Sequence, residues 1–154
     1  MPKEASRPFV TVHEVGPRDG LQNEAVTVGT VEKIAFVDRL SAAGFKAIEV
    51  SAFVSPKWVP QMADASDVFR GIARRPGTRY SALVPNLKGL ERAVEARVTD
   101  VAVFAAASET FSRRNINQSI DDSLTTYREV TRSTGNHGRA DRQRRPPASP
   151  RGRS

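Results

Sequence analysis

The sequence predicts an α/β protein built on a parallel sheet. Strand-like and helix-like segments alternate four times, which is the pattern of successive βα units joined by right-handed crossovers. The fourth strand-like segment, VAVFAA, is apolar throughout, as expected for a strand buried on both faces. Four units form either a small open α/β sheet or the first half of a (β/α)8 barrel of the TIM type. A complete barrel takes about 250 residues, more than the 154 of this chain.

The first unit has the clearest pattern. Residues 9–15, FVTVHEV, alternate β-branched side chains with others and predict a strand. The spacing of apolar residues predicts a helix over 30–43, with Thr30 as its N-cap and Gly44 as its C-terminal glycine. The predicted apolar stripe of this helix is Val31, Ile34, Val37 and Leu40.

Three further units follow in the same order. Strands are predicted over 47–50, 80–84 and 101–106, and helices over 64–74, 87–96 and 119–130. Asn86, directly after Pro85, is a predicted N-cap, and Ser119 with Asp122 resembles a capping box.

Composition excludes several classes of protein. The chain has no cysteine, so it holds no disulfide, thiolate metal site or cysteine nucleophile. No stretch approaches the roughly 18 apolar residues of a membrane span. The N-terminus, MPKEASRPF, lacks the apolar core of a signal peptide. We therefore expect a cytoplasmic protein with no membrane partner.

The net charge of +7 belongs mainly to one end of the chain. Residues 132–154 contain seven Arg, no Lys and one acidic residue, whereas residues 1–131 are nearly neutral. The end segment also lacks large apolar side chains, so we predict a folded domain over 1–131 and an Arg/Pro-rich disordered tail over 132–154. A nucleic-acid-binding arm is the alternative, but the tail has no aromatic side chain on which bases could stack. We expect no nucleic-acid partner.

Candidate functional residues follow the predicted strands, where parallel α/β sheets place their sites. GPRDGLQNE, after the first strand, offers Arg18 and Asp19. The pair is either a salt bridge at a turn or a site with a carboxylate cation ligand and a fixed positive charge. Glu49 lies in an otherwise apolar strand and needs a partner, for which Arg18 is the best candidate; the alternative is that Glu49 faces solvent.

The later loops offer weaker candidates. SAFVSPKWVPQMAD is long for a connection between a strand and a helix, and long structured loops are often functional; the alternative is that Trp58 and Val59 only cover the mouth of the barrel as packing. SETFSRRNINQS carries two arginines and two asparagines that could meet an acidic or phosphorylated ligand, or could be a solvated loop. Asn86 and Lys88 are ambiguous between capping and binding.

Four segments taken together, EVGPRDGLQNE, SAFVSPKWVPQMAD, ALVPNLKGLERAV and VFAAASETFSRRNINQS, resemble the hydroxymethylglutaryl-CoA lyase family over about residues 9–131. RDGLQ alone resembles the wider group of metal-dependent Claisen-type enzymes, whereas FVSPKWVPQMAD separates the lyases from the related synthases. The resemblance implies a (β/α)8 barrel of which this chain supplies the first four units. It also implies an Mg²⁺ or Mn²⁺ ion and an acyl-CoA substrate, which is cleaved to acetoacetate and acetyl-CoA in leucine breakdown and ketone-body formation.

The same resemblance implies roles for individual residues. Asp19 would be a metal ligand, Arg18 would stabilise the enolate oxygen of the departing acetyl thioester, and Glu49 would hold Arg18 by a charge-assisted bond. Gln22 would lie in the same polar shell. The residues implied as further substrate contacts are Ser51, Lys57, Asn86, Lys88, Asn115 and Asn117.

The sequence also departs from the family pattern. The family's further metal ligands, a His-x-His pair and an asparagine, and its catalytic cysteine on a glycine-rich loop are all missing here. Arg97 stands where the family tends to have a C-capping glycine. We therefore expect a truncated or frameshifted N-terminal half that is inactive or nearly so alone, with an open edge at the fourth strand that favours self-association. The alternatives are a condensing synthase of the same family and a non-catalytic half-barrel that binds an acyl-CoA or a separate C-terminal half.

Overall fold

The computed structural model describes residues 10–134 of the chain. Its strands are β1 (His13–Glu14), β2 (Ala47–Ala52), β3 (Arg79–Leu83) and β4 (Asp100–Ala102). Its α-helices are α1 (Thr30–Ala42), α2 (Ala65–Gly71), α3 (Leu87–Glu95), α4 (Glu109–Ile116) and α5 (Ile120–Thr134). A π-helical turn, Gly16–Gly20, follows β1, and a short 3₁₀ turn, Pro60–Met62, precedes α2.

The four strands form one parallel sheet in the order β1-β2-β3-β4. This order decides between the two predicted architectures, because a doubly wound open sheet reverses its strand order whereas a barrel adds each strand beside the previous one. All six residues of β2 are buried, as expected for a central parallel strand covered on both faces. The observed sheet is therefore of the barrel type.

The main core lies between the sheet and the helices. Val37 of α1 and Val68 and Phe69 of α2 pack with Ile48 of β2 and Tyr80 of β3, and each of these side chains is almost fully buried. A second, smaller cluster of Ala52, Met62 and Leu83 closes the sheet near the carboxyl ends of β2 and β3. The smaller cluster thus packs beneath the edge at which a parallel α/β sheet presents its functional groups.

Two helices end in the same way with different residues. After α1, Gly44 has φ of +97°, and the amide of Phe45 donates to the carbonyl of Leu40, which completes a Schellman motif. After α3, Arg97 takes the corresponding position with φ of +59°, and the amide of Val98 donates to the carbonyl of Ala93. The predicted glycine at 44 is confirmed, and the structure requires a left-handed backbone at 97 as well.

Replacing Arg97 by glycine is expected to stabilise the fold by about 0.5–1 kcal/mol, because it relieves a left-handed conformation that disfavours a Cβ. It also removes a cation near Arg74, whose pKa is lowered first by burial and then by the Arg97 charge. Urea denaturation measures the effect. Arg97→Ala is the matched control, since it removes the charge but keeps the backbone strain. Equal stability of the two variants would mean that the strain is absent.

The edge strands differ from the prediction. A strand over 9–15 was expected, but β1 pairs only through His13 and Glu14. The prediction that the fourth strand runs over 101–106 and is buried on both faces was wrong. β4 is only half-buried and ends at Ala102, and Val103 and Phe104 beyond it are each 37% exposed. Both differences occur at sheet edges, where each strand has one neighbour instead of two.

The helices differ in smaller ways. The segment 108–119, predicted as a loop, contains α4, with Ser108 as its N-cap. The N-cap of α1 is Gly29 and not Thr30, and Val31 lies on the solvent side at 74% exposure. Helix α5 continues to Thr134, three residues past the predicted domain end at 131. The rest of the predicted tail, 135–154, lies outside the described residues. No helix within 10–134 has the length and apolarity of a membrane span.

Candidate active site

The π-helical turn places two charged side chains at the carboxyl end of β1. The backbone amides of Arg18 and Asp19 both donate to the carbonyl of Val15, at 3.1 and 2.7 Å. The amide of Gly16 donates to Oε1 of Glu14 at 2.6 Å, so a Cβ on Gly16 would lie only 2.8 Å from that oxygen. A side chain at this position would displace the Glu14 carboxylate from the amide, and the two hydrogen bonds to Val15 fix the backbone at Arg18 and Asp19.

Arg18 bridges two carboxylates, one from its own turn and one from the interior of β2. Its Nε donates to Oε1 of Glu49 at 2.5 Å, and its Nη1 donates to Oδ1 of Asp19 at 2.8 Å. The side chains of Arg18 and Glu49 are only 19% and 11% exposed, whereas that of Asp19 is 56% exposed. The predicted pairing of Glu49 with Arg18 is thus present, and the alternative that Glu49 faces solvent is wrong.

The two carboxylates hold the Arg18 guanidinium in place and leave some of its N–H donors unused. Within residues 10–134, the Nη2 group of Arg18 makes no hydrogen bond. Close to the turn in sequence, Oε1 of Gln22 is buried without a hydrogen-bond partner among the described atoms. A buried acceptor without a partner is costly unless a ligand or water supplies a donor. The group can therefore offer donors from Arg18 to an oxyanion and an acceptor from Gln22 to a hydroxyl or amide.

A divalent cation does not fit these residues alone. Among residues 10–134 no group of three or more His, Cys, Asp or Glu side chains could hold a metal. Asp19 is exposed enough to reach an ion, but one of its two oxygens accepts from Arg18. Since Mg²⁺ takes six oxygen ligands, Asp19 could contribute at most a small part of a site.

The two candidates from the second unit have different environments. Ser51, on β2, is buried, and its hydroxyl donates to the sulfur of Met62 at 3.4 Å. Lys57 is exposed in the loop that follows β2. Neither forms a hydrogen bond or ion pair with Arg18, Asp19 or Glu49 in the described part of the chain. Their predicted substrate contacts stay predictions.

Asn86 and Lys88 lie at the beginning of α3. The side chain of Asn86 accepts from the amide of Gly89 at 2.9 Å, so the predicted N-cap is confirmed and its acceptor oxygen is already used. Lys88 is exposed and lines a small pocket of about 140 Å³ with Phe53 and Arg92. The capping interpretation of Asn86 is therefore the one that the geometry supports.

The two asparagines after β4, Asn115 and Asn117, make no hydrogen bond to Arg18, Asp19 or Glu49 within residues 10–134, and their predicted substrate contacts stay predictions. Asn115 is exposed on α4. Asn117 ends that helix with φ of +54°, and its amide donates to the carbonyl of Arg113 at 3.1 Å. Asparagine is favoured over most residues in this left-handed conformation, which gives Asn117 a structural reason to be there.

A buried ion pair that the sequence did not reveal stabilises the loop after β2. The Nζ atom of Lys33 donates to Oδ1 of Asp64 at 2.6 Å and to the carbonyl of Gln61 at 2.5 Å, and Thr30 donates to the other Asp64 oxygen. The amide of the Gln61 side chain donates to the carbonyl of Glu24, in the loop before α1. The sequence did contain a signal for this pair. Lys33 lies three residues after Thr30 and four before Val37, which places it on the same face of the helix as Val37.

Comparison with known proteins places this geometry in a family. The family model described as HMGL-like matches residues 10–142. The chain is 59% identical over 128 residues to the 3-hydroxy-3-isohexenylglutaryl-CoA/hydroxy-methylglutaryl-CoA lyase of Pseudomonas aeruginosa, covering 83% of this chain and 43% of that protein. It is 55% identical over 125 residues to the cytoplasmic 3-hydroxy-3-methylglutaryl-CoA lyase of Homo sapiens, covering 81% and 34%.

A solved structure agrees with the sequence comparison. The crystal structure of hydroxymethylglutaryl-CoA lyase from Pseudomonas aeruginosa superposes with a TM-score of 0.81 at 58% identity, covering 85% of this chain and 44% of that one. The described residues are thus half of a TIM-barrel-like fold, and this part of the fold prediction is confirmed. The chain spans less than half the length of the relatives that it matches. By its sequence match and its fold, the chain belongs to the HMGL-like family.

Proposed function

We propose that the chain contributes one part of an active site, the part that contains Arg18, and that this site cleaves hydroxymethylglutaryl-CoA to acetoacetate and acetyl-CoA. The observation that carries this proposal is the Arg18 guanidinium, held between Glu49 of β2 and Asp19 beside the carboxyl end of β1. Relatives at 59% and 55% identity are named as lyases of this substrate class. The condensing-synthase alternative has no comparable support.

The chemistry of the reaction suits the group. A base removes the proton of the tertiary hydroxyl, and the neighbouring carbon–carbon bond breaks as that oxygen becomes the ketone of acetoacetate. The electron pair passes to the carbon next to the thioester and creates an enolate, which then takes up a proton to give acetyl-CoA. Arg18 would donate to the enolate oxygen as its charge develops, the kind of fixed electrostatic stabilisation that contributes most to such steps. Glu49 would act as a positioning residue, because it holds Nε and leaves Nη2 available.

The described residues could supply only a small part of a metal site. Residues 10–134 do not supply enough ligands for a divalent cation by themselves. Enzymes of this family generally depend on a divalent metal. We propose only that Asp19 would supply one ligand to an Mg²⁺ or Mn²⁺ ion whose other ligands lie outside the described residues. Gln22, with its unpartnered oxygen, would accept from the substrate. The cytoplasmic location is likewise a proposal, supported by the name of the human relative.

The test combines the full chain with a chimera in which residues 10–134 replace the matching segment of the Pseudomonas aeruginosa relative. Acetoacetate release from hydroxymethylglutaryl-CoA with Mg²⁺ is measured. We expect little turnover by the chain alone and clear turnover by the chimera. In the chimera, Arg18→Lys is expected to lower kcat by about 10²–10³-fold, because lysine keeps the charge near Glu49 but not the planar fork.

Arg70→Lys is the matched control, since Arg70 is 57% exposed on α2 and, within residues 10–134, pairs with the exposed Asp67 alone. We expect it to leave the rate unchanged. Full activity of the Arg18→Lys chimera would contradict the assigned role. Binding of the thioester by a chimera with no cleavage would favour the non-catalytic alternative.

A further inference from the structure

The short 3₁₀ turn Pro60–Met62 contacts the loop after β1 at two places. Leu21 packs against the buried cluster that includes Met62. The side-chain amide of Gln61 donates to the carbonyl of Glu24 at 3.1 Å. Because Leu21 and Glu24 are three residues apart, the turn fixes this segment of the loop at both ends.

The turn is itself anchored to two elements of the fold. Met62 is 1% exposed, and its sulfur accepts from the hydroxyl of Ser51 on β2 at 3.4 Å. The backbone carbonyl of Gln61 accepts from Nζ of Lys33 on α1 at 2.5 Å. The turn therefore connects the loop after β1 to the sheet on one side and to a helix on the other.

Gln22 lies inside the segment that the turn fixes. The amide of Asn23 donates to the carbonyl of Gly20 at 3.2 Å. The amide of Glu24 donates to the carbonyl of Leu21 at 3.3 Å, so two successive backbone turns enclose Gln22. Its Oε1 atom is buried without a hydrogen-bond partner among the described atoms. A buried acceptor in a fixed backbone is placed to receive a donor that the described chain does not supply.

We propose that Gln61 is a positioning residue, which holds the Gln22 acceptor in place for an N–H or O–H donor on the coenzyme A arm of the substrate. This inference rests on the function proposed above. At neutral pH the hydroxymethylglutaryl group offers only its tertiary hydroxyl as a donor, because its carboxylate is ionised. The reaction requires a base to remove that proton, and an amide oxygen is too weak a base to do so. The coenzyme A arm carries amide and hydroxyl donors that keep their protons throughout, and these suit the Gln22 oxygen.

The two functional parts of the loop after β1 are held by different contacts. Arg18 is held by the carboxylate of Glu49 and, through its backbone amide, by the carbonyl of Val15. Gln22 is held through the contacts of the Pro60–Met62 turn. Loss of the Gln61 contact therefore leaves the guanidinium in place. Since the donor that meets Gln22 does not change during the reaction, its contact stabilises ground state and transition state equally, and its loss raises KM without lowering kcat.

Gln61→Met, made in the chimera described above, tests the positioning role. Methionine keeps the length of the side chain and the backbone carbonyl for Lys33, but removes the donor to Glu24. Calorimetry measures the Kd of free coenzyme A, and steady-state kinetics measures KM and kcat. We expect Kd and KM to rise about tenfold and kcat to stay within about twofold. Gln118→Met is the matched control, because the Gln118 amide donates to the hydroxyl of Thr126 at 3.5 Å, and it is expected to change none of the three.

A double variant shows whether Gln61 acts through Gln22. Gln22→Met removes no hydrogen bond among the described atoms, so a loss of folding does not complicate its effect. We expect it to raise the Kd of coenzyme A by a similar factor, and Gln22→Met/Gln61→Met to bind no more weakly than either single variant. An unchanged Kd in Gln61→Met would overturn the proposal. So would factors that multiply in the double variant, since Gln61 would then support the fold without acting through Gln22.

The two readouts separate this inference from the proposed function. A chimera that binds coenzyme A with the expected coupling but releases no acetoacetate would contradict the cleavage function and support the positioning role. A chimera that releases acetoacetate but whose Kd for coenzyme A is the same in all variants would do the reverse. A chimera that does not bind coenzyme A would overturn the inference directly.

Discussion

Replacing Arg18 by methionine is expected to lower the free energy of unfolding by about 3 kcal/mol. The substitution keeps most of the side-chain length but leaves Glu49 as a charge without a partner at 11% exposure. Removing one partner of a buried ion pair typically costs about 3–5 kcal/mol, because the remaining charge has lost its water and its counter-ion together. The exposed Asp19 can return to solvent, so its loss of Arg18 adds little.

A double-mutant cycle separates the pair from the rest of the fold. Glu49→Leu alone leaves the Arg18 guanidinium partly buried with only Asp19 beside it, and we expect a smaller loss. The double variant Arg18→Met/Glu49→Leu buries no charge at this position. We expect it to regain most of the stability, as replacement of a buried ion pair by apolar residues often does. Urea unfolding of the full chain measures all four proteins. Additive losses would show that the two side chains do not interact.

This pair is also the part of the site that the sequence predicted best. A carboxylate in an apolar strand needs a partner, and parallel strands bring their carboxyl ends to one edge. Those two rules lead directly from Glu49 to Arg18. The same reasoning predicted the order of the elements, since strand and helix periodicities are local properties of the chain. It failed for the length of β1 and β4, because strand length depends on neighbours that no local pattern describes.

Side chains with two competing uses were harder to interpret. Asn86 and Asn117 were implied as substrate contacts, yet one caps α3 with its side chain and the other ends α4 in a left-handed conformation. Each use satisfies backbone groups at a helix end, and asparagine is favoured there for that reason alone. An exposed asparagine at a helix end therefore carries little information about a ligand.

The Lys33–Asp64 pair was missed for the opposite reason. A lysine in a helix is normally solvated, and only the position of Lys33 on the buried side of α1 distinguishes it. In the structure its side chain is 5% exposed, and its ammonium group also donates to the carbonyl of Gln61. Because Gln61 in turn donates to the carbonyl of Glu24, this ion pair connects the loops that follow β1 and β2. The stability of the loops that contain Arg18 and Lys57 thus depends on the buried Lys33–Asp64 ion pair.

Asp64→Asn is accordingly expected to destabilise the fold by about 2–3 kcal/mol, since a buried ammonium group would lose the carboxylate that it pairs with. Asparagine keeps the shape and one oxygen for Thr30 or Lys33, so the loss measures the charge and not the volume. Asp67→Asn is the matched control three residues along α2, where the carboxylate is 70% exposed and pairs with Arg70 at 3.3 Å. We expect it to change stability by less than about 0.5 kcal/mol. Thermal and urea unfolding measure the free energy of unfolding of the two variants. Equal losses would mean that the Gln61 carbonyl alone, without the Asp64 charge, stabilises the buried Lys33 ammonium group.

If the Lys33–Asp64 pair holds the two loops together, a protease should cut the Asp64→Asn variant first between residues 53 and 64. The Asp67→Asn variant should resist cleavage there, as the unaltered chain does.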